Sequence, residues 1–305
     1  MADVPPILVI LGPTASGKSA LAMELARRVH GQILAVDSMQ VYRGMDIGTA
    51  KPTAGERGEI AHHLIDVVDP NQTFTVARFV EAADGAIADA AKNGVPLIAT
   101  GGTPLYYKAL FEGLFEGPSA DAQIRAKLSS MSSEQLAQKL AEVDPASAGR
   151  IHLNDTKRLV RALEVFELTG KPISSLQQEW GAQRTRHAAT WVGLGWDTEA
   201  INRRINSRVK SMIAAGWVQE TANLLRAFGT LSPTAAEATG YQEIIAHLEG
   251  KISLDDAIEQ IKIATRQLAR RQMKWFRRFP NVKWLVGDWP AQELADECLK
   301  IWKPK

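Results

Sequence analysis

The sequence has one cysteine and no long apolar run, and its first residues are not basic. Cys298 has no second cysteine in the chain, which excludes an intramolecular disulfide and a metal site built from cysteines. No apolar run approaches the roughly 20 residues of a membrane helix. The N-terminus carries Asp3 where a secretory signal would carry basic residues. We therefore expect a cytoplasmic protein without a membrane partner, and we expect Cys298 to be a small buried residue in a C-terminal helix.

A segment near the N-terminus matches the G-x-x-x-x-G-K-S/T pattern of phosphate-binding loops. It follows the apolar run 7–11, which is typical of a buried strand, and it precedes apolar residues at helical spacing that end at Gly31. In such a loop the amides face the phosphate, Lys18 reaches the outer phosphates and the Ser19 hydroxyl holds Mg²⁺. The predicted diphosphate or nucleotide site consists of Gly12, Pro13, Thr14, Ala15, Ser16, Gly17, Lys18 and Ser19.

Strand and helix patterns alternate over the first part of the chain. The runs 7–11, 33–36 and 97–100 predict strands, and 79–91 predicts a helix between them. This alternation favours an α/β fold, a parallel sheet with flanking crossover helices. Ligands of such sheets bind at the carboxyl ends of the strands, where Asp37 and Gly101-Gly102-Thr103 also fall. The sequence thus directs three strand ends to one site.

A helical insertion interrupts this pattern. From residue 117 to 190 the strand signal is absent, and helices are predicted around 122–131, 135–143 and 155–168 before a strand at 191–194. We therefore expect a core domain of residues 1–116 and 191–305 and a helical domain of residues 117–190. The cations of its third helix, Lys157, Arg158 and Arg161, favour on charge alone a solvated face over a contact surface.

A basic segment lies near the C-terminus. Residues 262–278 contain seven basic residues and no acidic one, on a helix that is predicted to start near Ser253. Since like charges repel, such a stripe indicates a polyphosphate partner. A solvated face with core aromatics is the alternative, and a membrane-surface helix is less favoured. Five of the basic residues recur every fourth position, namely Lys262, Arg266, Arg270, Lys274 and Arg278, and the others are Arg271 and Arg277; the aromatic residues are Trp275, Phe276 and Phe279.

Other polar groups give weaker signals. His62 and His63 have no Glu or third His at ligand spacing, so we interpret them as structural. Asp66 and Asp69 are weak candidates for a second, metal-holding acid. Asp37 has the stronger claim because it ends the strand that follows the phosphate loop.

Several motifs together resemble the tRNA dimethylallyltransferase family over nearly the whole chain. The phosphate loop is generic, whereas D-S-M-Q-V-Y at 37–42 and G-M-D-I-G-T-A-K-P at 44–52 are specific together. The further matches are G-G-T at 101–103, R-A-L-E-V at 161–165 and R-Q-L-A-R-R-Q-M-K-W-F-R at 266–277. One position departs from the family pattern, since Gln242 stands where Arg is frequent after Gly-Tyr.

The resemblance implies a P-loop nucleoside-triphosphatase-like fold and a reaction. A dimethylallyl group would pass from its diphosphate to the exocyclic amine of the adenosine 3′ of the anticodon, in tRNAs reading codons that begin with U. Lys18, Arg208 and Mg²⁺ would stabilise the leaving diphosphate, Asp37 would take the proton of the amine and Thr103 would position the reactants. The insertion would clamp the anticodon stem. The implied tRNA-binding residues are Asp37, Ser38, Met39, Gln40, Thr103, Arg125, Lys157, Arg158, Arg161, Gln242, Arg266, Arg270, Arg271, Lys274 and Arg277.

Other classes stay open at this point. A nucleotide or small-molecule kinase uses the same loop but has little use for the basic stripe. An adenylate isopentenyltransferase keeps the prenyl chemistry without an RNA surface, and an RNA-binding ATPase module is a further alternative. We expect a monomer that binds tRNA and dimethylallyl diphosphate.

Overall fold

The computed structural model describes residues 7–113, 117–180 and 185–303, except for the side chains of 178–180. A short 3₁₀ helix spans Ala235–Glu237. The other elements of these residues, in chain order, are β1 (Ile7–Leu11), α1 (Lys18–Val29), β2 (Gln32–Ala35), α2 (Ala54–Glu59), β3 (His62–His63), α3 (Val76–Lys92), β4 (Leu97–Thr100), α4 (Pro104–Glu112), α5 (Ala122–Ser129), α6 (Ser133–Val143), α7 (Pro145–Ala148), α8 (Thr156–Thr169), α9 (Ile173–Trp180), β5 (Ala189–Gly195), α10 (Thr198–Ala214), α11 (Trp217–Phe228), α12 (Tyr241–Leu248), α13 (Leu254–Phe276), β6 (Lys283–Val286) and α14 (Ala291–Ile301).

The strands form one parallel sheet. Within the described residues their order is β3-β2-β4-β1-β5-β6. All of β1 is buried, as expected for a strand covered on both faces. Ile10 lies in register with Thr100 of β4 and Val192 of β5, so the carboxyl ends of these strands are level. The predicted α/β class is confirmed. β3 and β6 were not predicted, because one has only two residues and the other buries only Leu285.

Helices cover both faces of the sheet. On one face α1 packs on β4 and β1, and α14 packs against α1, with Cys298 and Trp302 fully buried. Burial raises the pKa of the Cys298 thiol to about 12, and its predicted burial is confirmed. Elsewhere, Phe279 stacks on Trp191 with ring centroids 5.2 Å apart, and buried Phe276 meets Tyr107 edge-on at 6.0 Å. Both phenylalanines are therefore core residues and not base contacts. In the described part of the chain, no helix is long and apolar enough to cross a bilayer.

The chain divides into two units by its internal contacts. One unit contains Met1–Phe111 and His187–Lys305, and the other is Glu112–Arg186. The predicted insertion of residues 117–190 ends inside β5, because Ala189 and Thr190 already pair with β1. The second unit is helical, and its own core is formed by Leu128, Leu136, Leu140, Leu159, Ala162, Leu163, Val165 and Ile173.

A buried carboxylate ties the helices of this second unit together. Glu164 of α8 is 0% exposed and accepts hydrogen bonds from the amide of Asp121 and from Arg125 Nε, both at 2.8 Å. Arg161 Nη1 donates to its other oxygen at 2.6 Å. Since a buried charge is costly without partners, these three donors explain why a carboxylate can occupy the core.

We expect Glu164→Ala to lower the free energy of unfolding by about 2–3 kcal/mol, because the Asp121 amide loses its acceptor and two guanidinium groups lose their partner. Urea unfolding measures this change. Glu167→Ala is the control, since Glu167 pairs with exposed Lys127 at 3.4 Å and such pairs contribute about 0–1 kcal/mol. Equal losses in the two variants would contradict a structural role for Glu164.

Candidate functional site

The phosphate-loop segment forms a turn between β1 and α1. Its backbone enters the left-handed region at Ala15 and Gly17, with φ of 65° and 91°. Glycine adopts this conformation freely, whereas alanine does so with strain. α1 begins at Lys18 with Gly17 as its N-cap, and no side chain caps its first turn. The amides of that first turn are therefore available to an anion.

Two side chains hold the outer face of this loop. Arg204 Nε donates to the Ala15 carbonyl at 2.8 Å, and Trp196 Nε1 donates to the Ser16 carbonyl at 3.1 Å. The Arg204 guanidinium lies 4.6 Å from the centre of the Trp196 ring, a cation–π contact. With these carbonyls bonded, the strained turn is held in place. Sequence reasoning assigned no role to either residue, because neither belongs to the loop motif.

Positive charge collects inside the loop. Arg204 and Arg208 of α10 line a cavity of about 350 Å³ with Lys18, Ser19 and Ala15. Burial lowers the pKa of Lys18 to about 8, and Arg208 adds to this shift while Asp37 opposes it. Burial also lowers the pKa of Arg208, again against the effect of Asp37. Because these cations disfavour one another in a desolvated site, a polyanion would relieve the cost.

Asp37 and Thr103 meet at the carboxyl ends of β2 and β4. Asp37 accepts hydrogen bonds from the amides of Met39 at 2.9 Å and Gly102 at 3.1 Å, one at each carboxylate oxygen. Thr103 Oγ1 accepts from the Ser38 amide at 2.9 Å. The strand ends approach so closely that a Cβ at Gly101 would lie 2.0 Å from the Val36 carbonyl oxygen. The Asp37 carboxylate is thus oriented by backbone from both strand ends.

Gln272 of α13 joins these two halves of the site. The residue is 4% exposed. Its Oε1 accepts from the Thr14 amide at 2.8 Å, and its Nε2 donates to the Gly102 carbonyl at 2.7 Å. Sequence reasoning missed Gln272, because a glutamine within a basic helix resembles any polar surface residue. Its signal is its place between Ala269 and Phe276 on the apolar side of α13.

A cavity of about 370 Å³ lies between the phosphate loop and Asp37. Ile205, Val209, Met212 and Leu268 give part of it an apolar lining, together with Ile33. Nine of the predicted site residues line its wall, namely Thr14, Lys18, Ser19, Asp37, Ser38, Met39, Gln40, Thr103 and Arg208.

The specific segment 44–52 is held by one carboxylate. Glu220 of α11 accepts from the amides of Asp46 at 2.9 Å, Ile47 at 2.6 Å and Gly48 at 3.2 Å, and from the Tyr241 hydroxyl at 2.7 Å. Later in the same segment, the carbonyls of Thr49 and Ala50 accept hydrogen bonds from Gln40 Nε2. The segment 44–52 therefore positions Gln40, which lines the cavity, and this role explains why the motif is specific.

The basic segment separates into a buried and an exposed part. Lys262 is 7% exposed and pairs with Glu259 at 2.6 Å, so its predicted place in an exposed stripe is wrong. Lys262 lies on the buried side of α13, with Ala257, Ile261 and Ala269. Arg266 is half-buried and donates to Asn206 at 2.7 Å. The cations beyond it are exposed, namely Arg270, Arg271, Lys274, Arg277 and Arg278.

The other implied tRNA contacts lie outside the cavity lining. Arg125 and Arg161 bind Glu164, so Arg161 is a partly buried exception to the solvated face that charge alone favoured on α8. Arg158 is exposed beside Asp155, and Lys157 is exposed on the same helix. Gln242 is exposed on α12.

The weaker polar candidates have structural partners. Asp66 pairs with Lys51 and Arg57, which occupy its two carboxylate oxygens, so it is not placed to hold a metal at the phosphate loop. Asp69 pairs with Arg43 at 3.1 Å. His62 and His63 bond to the Ile60 carbonyl and to Gln32 respectively, and burial lowers the pKa of both imidazoles.

Comparison with known families agrees with this geometry. A family model described as IPP transferase matches residues 40–279, more than half of the chain. The chain belongs to the IPP transferase family. A second model, described as Isopentenyl transferase, matches residues 5–66, which include the phosphate loop.

Relatives in the IPP transferase family match this chain over nearly its whole length. Curated proteins named tRNA dimethylallyltransferase from Geobacter metallireducens and Acetivibrio thermocellus are 48% and 44% identical, over 92% of this chain and of each relative. A solved tRNA isopentenylpyrophosphate transferase from Bacillus halodurans gives a TM-score of 0.72 at 35% identity, over 96% of this chain and 94% of that one. A eukaryotic dimethylallyltransferase acting on tRNA gives 0.78 at 29%, over 92% and 73%. These relatives favour prenyl transfer over the kinase alternative.

We expect the affinity for a diphosphate ester to fall as the pH rises through about 8, the pKa of Lys18. Below that pH the ammonium group is already charged, whereas above it a proton must be taken up on binding. The affinity should then fall by a factor approaching ten per pH unit. Calorimetry with dimethylallyl diphosphate tests this, with Lys18→Ala as the control. A slope of the same steepness in the Lys18→Ala protein would show that another group titrates.

Proposed function

We propose that this chain transfers the dimethylallyl group of dimethylallyl diphosphate to the exocyclic amine of an adenosine in tRNA. The acceptor is the adenosine 3′-adjacent to the anticodon in tRNAs that read codons beginning with U. The observation that carries the proposal is the cavity with a cationic phosphate loop at one end and an oriented carboxylate, Asp37, at the other. The names of the relatives support it. We expect a monomer that acts in the cytoplasm.

The phosphate loop suits a diphosphate leaving group. Negative charge grows on the diphosphate as its bond to the C1 carbon breaks, and a site built for this reaction must hold cations there beforehand. Lys18 and Arg208 meet this need, together with the uncapped amides of α1. The lowered pKa of both groups reflects the free-energy cost of holding them charged in a buried site before the donor binds.

The loop also suits Mg²⁺ at Ser19. Ser19 lines both cavities, and Mg²⁺ typically binds one or two protein groups along with phosphate oxygens and waters. In the described residues no cluster of three or more His, Cys, Asp or Glu side chains forms another metal site. Bound at Ser19, the metal would neutralise part of the charge of the diphosphate.

Asp37 suits the role of general base. The amides of Met39 and Gly102 each occupy one lone pair of its carboxylate, and each oxygen keeps another for an amine N–H. In the proposed step the amine nitrogen forms a bond to C1, the C1–O bond breaks, diphosphate leaves and the amine proton passes to Asp37. Thr103 supports the same loop through the Ser38 amide and would help to position the adenosine.

The apolar wall suits the prenyl group. Ile205, Val209 and Met212 recur on the inner side of α10, the helix that also carries Arg208. A donor with its diphosphate at Arg208 can therefore lay its five-carbon chain along the same helix. Burying these apolar carbons contributes about 0.8 kcal/mol per CH₂ group and excludes water that would hydrolyse the donor.

The exposed end of α13 suits tRNA phosphates. Arg270, Arg271 and Lys274 are exposed on the helix that sends Gln272 into the cavity, and Arg277 follows directly after it. A tRNA bound there would lie beside the site, and its adenosine would have to leave the base stack to reach Asp37. Lys157 and Arg158 of α8 and Gln242 of α12 are further exposed candidates for such contacts.

We expect Asp37→Asn to lower the single-turnover rate of transfer by roughly a hundredfold or more, the usual effect of losing a positioned general base. The amide keeps the shape and its oxygen keeps one of the two backbone bonds, but it cannot accept the amine proton, so donor affinity should change little. Rapid-quench kinetics measures the single-turnover rate, and titration with the donor measures the donor affinity. Asp69→Asn is the control. Severe loss of donor affinity with a normal saturated rate would assign Asp37 to the metal.

We expect replacing Arg270, Arg271 and Lys274 with Gln to weaken tRNA binding and flatten its salt dependence. Each lost phosphate contact should reduce the slope of log affinity against log salt by about 0.7–0.9. The control variant carries Gln at Arg226, Lys251 and Lys300, which are exposed on other parts of the chain. If both variants keep the slope of the unmodified protein, these α13 cations form a solvated face only.

A further inference from the structure

In the phosphate loop of this chain the Ser16 amide donates to the Pro13 carbonyl at 3.2 Å, and a second amide, that of Thr14, is bonded to a side chain from outside the loop. The Thr14 amide donates to Gln272 Oε1 at 2.8 Å. The first-turn amides of α1, by contrast, have no side-chain cap. Since the loop binds phosphates through its amides, the engagement of Thr14 removes one donor from the end nearest β1.

The position of Lys18 shows which phosphate this donor would serve. Lys18 Nζ donates to the Pro13 carbonyl at 3.3 Å, so its side chain runs back along the loop to the residue before Thr14. In such loops the amides cradle the inner phosphates and the lysine reaches the outer ones. A phosphate beyond the reach of the α1 amides would therefore come to the Thr14 amide, the place that the Gln272 amide group fills.

Gln272 is also held against displacement. Its Nε2 donates to the Gly102 carbonyl at 2.7 Å, and a Cβ at Gly102 would lie only 2.8 Å from that nitrogen. The side chain is 4% exposed, so moving it aside would leave polar groups without partners in a buried place. Its oxygen carries partial negative charge toward the loop and would repel a further phosphate oxygen.

We propose that Gln272 is a specificity-determining residue that limits the phosphate loop to two phosphates and excludes the third phosphate of a nucleoside triphosphate. The inference rests on the proposed function, because it concerns how the same loop selects its donor. A nucleoside triphosphate contains the same diphosphate unit and the same charges that Lys18 and Arg208 attract. Charge alone cannot reject it, whereas an occupied amide and a pinned side chain can.

Binding of inorganic pyrophosphate and inorganic tripolyphosphate, each with Mg²⁺, tests this without a nucleoside or a prenyl group. Calorimetry should show that the unmodified protein prefers pyrophosphate. In Gln272→Ala the preference should shift toward tripolyphosphate by about tenfold, the effect of freeing one amide and its space. Gln267→Ala is the matched control, because Gln267 is an exposed glutamine of the same helix, and it should leave the preference unchanged.

Gln272→Glu provides a second variant that works in the opposite direction. A carboxylate loses the bond to the Gly102 carbonyl but can still accept from Thr14 and adds negative charge, so discrimination against tripolyphosphate should persist or increase. An unmodified protein that binds tripolyphosphate as tightly as pyrophosphate would overturn the proposal, and so would an unchanged preference in Gln272→Ala. If the unmodified protein does not bind pyrophosphate at all, the result differs from these and would overturn the proposed function as well.

Discussion

The close approach of two strand ends is the constraint on which the site depends. The Val36 carbonyl and Gly101 leave no room for a side chain between β2 and β4. This contact places the Gly102 amide beside Asp37 and the Thr103 hydroxyl beside the Ser38 amide. Gln272 then connects these strand ends to the phosphate loop, since it bonds to both the Gly102 carbonyl and the Thr14 amide. The two ends of the cavity are thereby held in one backbone frame, as a reaction between two bound partners needs.

The buried cations of the site, Lys18 and Arg208, are energetically unfavourable when no anionic ligand is bound. Burial lowers the pKa of Lys18 and of Arg208, and Arg208 adds to the shift at Lys18. The protein bears this cost in its free state because its larger core supplies the stability, including the sheet and the α1–α14 layer. Binding a diphosphate would relieve the repulsion, so part of the binding free energy comes from the removal of this strain.

The sequence was sufficient for elements with strong local signals. Apolar runs such as Leu97–Thr100, the loop motif and the Ser253 cap of α13 predicted their structures, because each depends on neighbouring residues. Contacts between distant residues were not predictable. Gln272 and Thr14 are 258 positions apart, and the place of Gln272 on the apolar side of α13 does not identify its partner. Lys262 and Arg161 each have an acidic partner three positions away on the same helix, whereas the burial of Lys262 and of Glu164 becomes visible only when the helices are placed.

The most direct test of the account is the product formed from labelled dimethylallyl diphosphate and total tRNA. Nucleoside analysis by mass spectrometry identifies the modified base and the position of the added group. The account predicts label on the exocyclic amine of the adenosine next to the anticodon, with one diphosphate released for each group transferred. Label on free adenine nucleotides with none in tRNA would contradict it, because the cavity would then serve a small-molecule acceptor.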